Sequence, residues 1–113
     1  MKKVSILFLT ILLAACASTK LLSPAQTDVD RVATKYPDYS LEELNHGKTL
    51  YTQHCGNCHG LKNPAGRGEE QWKKVVPRMM VKVNKKEGNI LDAKAEESIL
   101  RYLITMSTAS PTK

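Results

Sequence analysis

Residues 40–60, SLEELNHGKTLYTQHCGNCHG, decide how the rest of the chain is read. Ser40 with Glu43 three positions on is a capping box, so a helix opens there and its periodicity carries it to about Gln53. Leu41, Leu44, Gly47, Leu50 and Tyr51 form its buried stripe. Glycine in a helix interior costs up to about 1 kcal/mol relative to alanine, so Gly47 points either to a second helix crossing closely over it or to a tolerated surface glycine. The stretch closes on Cys55-Gly56-Asn57-Cys58-His59. Cysteines at this spacing add across the two vinyl groups of a haem, and a histidine directly after the second falls beneath the iron. Cys55 and Cys58 are therefore expected to carry one covalent haem c, with His59 as proximal ligand. Gly56 and Asn57 suit the tight turn.

Two other uses of a CxxC pair compete, a redox dithiol and half of a zinc site. Zinc requires two further ligands, and the other histidines are His46 and His54, the other cysteine Cys16. A redox dithiol is expected at a strand-to-helix junction, which this sequence lacks.

The N-terminus sets the compartment. Lys2 and Lys3 precede the apolar run Val4 to Leu13, the arrangement of an export signal and too short for the roughly 20 residues of a spanning helix. Leu13-Ala14-Ala15-Cys16 resembles the bacterial lipobox, which implies cleavage after residue 15 and a diacylglycerol on Cys16. Two or three acyl chains meet the requirement for stable anchoring. The expected organisation is a signal over 1–15, a lipidated tether over 16–22, a domain over 23–106 and a flexible tail over 107–113. Ala17 and Ser18 after the cysteine favour the outer over the inner membrane of a bacterial envelope, with the domain facing the periplasm. Each of the three cysteines then has a use, and no disulfide is expected.

The chain's 113 residues allow one compact domain, and with aromatics at 5% a prosthetic group would help fill its core. Removing the signal lowers the formal charge from +6 to +4. Between residues 60 and 86, Lys62, Arg67, Lys73, Lys74, Arg78, Lys82, Lys85 and Lys86 stand against Glu69 and Glu70, a local +6. Such a collar would steer acidic redox proteins to the domain; nothing resembles a nucleic-acid motif. A monomer is expected.

Four helical segments emerge. Ser23-Pro24-Ala25-Gln26 starts one that runs from Pro24 to about Lys35 before Pro37, with Ala25, Val29, Val32, Ala33 and Tyr36 on one face. After the helix capped by Ser40, residues 60–68 have loop composition. A third helix begins near Glu69 or Glu70 and places Trp72, Val75, Val76 and Met79 at helical spacing. Pro77 is expected to bend it between Val76 and Arg78, and Lys85 to Asn89 to form a turn. Asp92 caps the last helix, to about Thr105, with Ile99, Tyr102, Leu103 and Met106 inward. No segment alternates with period two, so the fold class is all-α.

On the residues alone, the sixth position of the iron is open to Met79, Met80, His46, His54 or no ligand. Here the sequence resembles a monohaem class I type cytochrome c. The resemblance rests on Tyr36-Pro37, Leu44, Gly47, Tyr51, CGNCHG, the run Trp72-Lys73-Lys74-Val75-Val76-Pro77-Arg78-Met79, and Ile99-Leu100-Arg101-Tyr102-Leu103. It implies Met79 as distal ligand with Met80 as the alternative, and a contact of Gly47 and Tyr51 with Tyr102. It also implies Trp72 at a haem propionate or edge, and Pro64 as acceptor from the His59 imidazole. The implied function is single-electron transfer without conversion of a substrate. A haem sensor with an open sixth position and the electron-entry subunit of a larger redox enzyme are the alternatives.

Overall fold

The computed structural model describes residues 21–56 and 60–109. The signal, Cys16, Cys58 and His59 lie outside the described residues. Four helices follow in order, α1 (Gln26–Arg31), α2 (Leu41–His54), α3 (Glu69–Glu87) and α4 (Ala93–Ser107), with a 3-10 turn at Pro64–Gly66 between α2 and α3. Among the described residues there is no strand, and no helix is long and apolar enough to cross a membrane. The fold is all-α, as the periodicity indicates.

Local signals set the helix starts. Ser40 Oγ accepts from Glu43 N at 3.1 Å while the Glu43 carboxylate accepts from Ser40 N at 2.9 Å, closing the capping box of α2. Asp92 caps α4 by accepting from Ala95 N at 2.8 Å. α1 departs from expectation: its N-cap is Ala25, not Ser23, and it ends at Arg31 rather than Lys35. Asp28 takes the reaching-back role, accepting from Ala25 N at 2.8 Å, and is itself held by Arg31 Nη1 at 2.8 Å. The same guanidinium donates to Thr105 O at 2.8 Å and Thr108 Oγ1 at 3.1 Å, so its clamp onto the end of α4 coincides with the end of α1. Beyond Arg31 the chain tightens into turns, with Ala33 N on Asp30 O, and leaves Ala33 exposed.

α3 departs from expectation at its end, running past Lys85 to Glu87, and its helical run continues through Pro77. Proline removes the bond that would reach the Lys73 carbonyl. Both Pro77 and Lys73 lie on the exposed side, where water can satisfy the freed acceptor. The helix ends three residues later than expected, at Glu87, and is capped by Gly88, whose φ of 83° is the left-handed conformation glycine adopts without penalty. Asn84 brackets the following loop, its amide meeting Leu91 N and Leu91 O at 2.9 Å each.

The core is built where α4 crosses α2 and α3. Leu44 and Tyr51 of α2, Trp72 and Val76 of α3, and Ile99, Tyr102, Leu103 and Thr105 of α4 are fully buried. A Cβ on Gly47 would stand 2.3 Å from Ser98 O and 2.7 Å from Tyr102 Cβ, so the glycine is the point of closest approach of α2 and α4. The packed region exceeds the expected limits at both ends, since Leu21 rests on the core and Ala109 is buried.

Alanine at an exposed helical glycine stabilises by up to about 1 kcal/mol. Gly47→Ala is expected to do the reverse, lowering the unfolding free energy by about 2–3 kcal/mol as α4 is forced away. Guanidinium denaturation followed by far-ultraviolet circular dichroism measures it.

Burial also raises the phenols of Tyr39 and Tyr102, and pushes that of Tyr51 up to about 12 from its ordinary value of 10. A raised folded value means the folded state keeps its proton after the unfolded chain has lost it. The stabilisation is therefore complete below pH 10 and is lost as pH rises through the folded values. Stability is expected to fall above pH 10 by up to about 1.4 kcal/mol per pH unit for each buried tyrosine. Denaturation at stepped pH checks this, and Tyr51→Phe is expected to show a shallower fall.

Candidate functional site

An open cleft lies between the end of α2, the loop after it and one side of α3. Its apolar lining is Tyr51, Trp72 and Val75, and its sulfur-bearing groups are Cys55, at the C-cap of α2, and Met79. Lys62, Arg67, Arg78 and Lys82 complete it, and no carboxylate lines it among the described residues.

The two methionines are separated by helix geometry. Consecutive residues of a helix point about 100° apart. Trp72, Val76, Met80 and Val83 make the buried stripe of α3, with Met80 only 6% exposed in the core. Val75, Met79 and Lys82 fall on the neighbouring stripe and face the cleft. Met79 is half-buried there, and Pro77 does not turn it away.

Neither described histidine lines the cleft. His46 is exposed, and His54 Nδ1 pairs with Glu87 Oε2 at 2.9 Å, tying the end of α2 to the end of α3. Burial, helped by the Glu87 carboxylate, pushes the Cys55 thiol up to about 11. A redox dithiol calls for a thiol lowered toward neutrality, and the burial of Cys55 acts in the opposite direction. Among the described residues no three His, Cys, Asp or Glu side chains gather as a metal site.

The wall beside the thiol is braced by two aromatic residues. The Tyr51 hydroxyl donates to Lys62 O at 2.7 Å and accepts from Lys62 N at 3.1 Å, so one phenol satisfies both backbone groups of a loop residue. The Tyr51 ring meets that of Tyr102 at 5.7 Å and that of Trp72, edge to face, at 6.5 Å. Trp72 is fully buried, and its Nε1 donates to the Pro64 carbonyl at 3.0 Å. Arg67 lies over the indole at 5.5 Å. Trp72 thus lines the cleft, and its indole N–H donates to the Pro64 carbonyl. The Pro64 carbonyl, expected to serve His59, already has one donor and keeps one lone pair.

Comparison with family models, curated proteins and solved structures finds no match to the chain.

The basic collar is thinner than the sequence count. Lys73 is paired with Glu69 at 3.0 Å and Glu70 at 3.3 Å, and Lys35 also meets Glu69. Lys35 and Lys73 hold the Glu69 carboxyl below the usual carboxylate range. The cations that line the cleft are Lys62, Arg67, Arg78 and Lys82. Sequence reading placed these in the collar without separating them from Lys73. The Tyr51–Lys62 brace was not foreseen, and its one sequence signal is an aromatic one helical turn before Cys55.

Proposed function

We propose that the chain is an electron-transfer c-type cytochrome, lipid-anchored through Cys16 in a bacterial envelope, that passes single electrons between protein partners. The observation that carries this reading is the CxxCH spacing at the end of α2 with the Cys55 thiol on the same cleft as the Met79 thioether. The residues present fit a haem: the floor is aromatic and aliphatic, and the cations around it suit a planar apolar group with anionic propionates. The haem iron, when bound, supplies the one-electron redox change.

The chain's own residues do the rest. Cys55 and Cys58 fix the group covalently, His59 is the proximal ligand, and Met79 is the distal ligand. Tyr51, Trp72 and Val75 exclude water from the face they cover. A thioether ligand favours a raised potential and a closed iron that exchanges electrons without binding substrates. Lys62, Arg67, Arg78 and Lys82 present a positive edge that suits acidic redox partners.

Expression with c-type haem maturation tests the attachment: the peptide holding Cys55 and Cys58 is expected to carry the mass of one haem, and an unmodified peptide would overturn the reading. Substitution separates the methionines. Met79→Ala is expected to abolish the sulfur-to-iron charge-transfer band of the ferric protein with little loss of stability. Met80→Ala is expected to keep the band and lower stability by about 2–5 kcal/mol, as for a buried side chain truncated to alanine. Absorption spectra and denaturation curves of both variants decide, and a band that survives Met79→Ala contradicts the assignment.

A further inference from the structure

Among the described residues, a buried side-chain hydrogen bond directly joins α3 to the loop that leads away from the attachment motif. Trp72 Nε1 donates to the Pro64 carbonyl at 3.0 Å, with both residues buried. Tyr51 holds the same loop from α2 through Lys62, but does not connect it to α3. Met79 lies seven residues beyond Trp72, close to two turns, so both side chains leave α3 toward the cleft. Arg67, at the end of the 3-10 turn that begins with Pro64, covers the indole at 5.5 Å and closes the bond off from outside. If α3 moves away from the loop, the Trp72–Pro64 bond breaks, and the freed carbonyl is left in a buried place.

We propose that Trp72 is a positioning residue, a clasp between α3 and the 60–66 loop that keeps the Met79 sulfur on the iron. This rests on the cytochrome reading above. Loss of the clasp raises the population in which the methionine has left and the sixth position is open. A factor of about ten is expected, equivalent to about 1.4 kcal/mol, the scale of one buried hydrogen bond. An external ligand that binds only the open form then gains apparent affinity by the same factor.

The test uses haem-loaded full chain and carbon monoxide titrated into the ferrous protein. Trp72→Phe keeps an aromatic ring and removes the donor, and is expected to bind carbon monoxide about tenfold more tightly than the parent, with a weaker ferric sulfur-to-iron band. Asn63→Ala removes the side-chain acceptor of Ala65 N in the same loop without touching the clasp, and is expected to stay within about twofold of the parent. An unchanged affinity in Trp72→Phe, or an equal gain in Asn63→Ala, would overturn the clasp. A parent protein with no haem or no sulfur-to-iron band would instead overturn the cytochrome reading itself, so the two failures are distinct.

If Trp72→Phe does not fold, the single tryptophan of the parent gives an unambiguous indole proton to follow by NMR. Slow solvent exchange that accelerates when carbon monoxide binds supports the clasp. Exchange that carbon monoxide leaves unchanged overturns it.

Discussion

The close crossing of α2 and α4 at Gly47 is the constraint on which the rest depends. With no side chain at that position, the Ser98 carbonyl and Tyr102 Cβ approach to distances that any Cβ would forbid. The approach brings Tyr102 against Tyr51, one turn further along α2, and Tyr51 against Trp72 of α3. Three aromatic rings from three helices thus meet at one point. The glycine's propensity cost of about 1 kcal/mol is offset by burial of side chains worth about 1.5–3 kcal/mol each.

The cleft is the outward continuation of that aromatic centre. Tyr51 and Trp72 belong to both core and cleft, so the wall of the site is as fixed as the core. Each also spends its polar atom on the loop between α2 and α3, Tyr51 on Lys62 and Trp72 on Pro64. The loop has few apolar residues of its own and is held chiefly by these bonds and the buried Pro64 ring. Along α3, a single step of about 100° separates a core methionine from one that faces the cleft, so adjacent identical residues have different roles.

Features that depend on residues within one turn were legible in the sequence. The Ser40–Glu43 box, the Asp92 cap and the inward faces of α2 and α4 are all of this kind. Gly47 was legible as a candidate crossing, because an unexplained helical glycine invites a reason outside its own helix. Where the reading failed, distant contacts decided the outcome. α1 is short where Arg31 is engaged by Thr105 and Thr108, more than 70 positions away, which no local pattern records. The Trp72–Pro64 bond crosses a loop whose path has no periodicity to read. In the candidate site, the sulfur and aromatic residues were recognisable by type and spacing, whereas the commitment of the indole donor to Pro64 required the fold.

Under the proposed reading, the cleft holds a covalently attached haem with Met79 on its iron. Proton NMR of the reduced, haem-loaded protein probes this directly, because a methyl group held over the haem plane is shifted far upfield by the ring current. One such methionine methyl is expected, assigned to Met79. A spectrum with no upfield methyl, or with that resonance assigned to Met80, would contradict it.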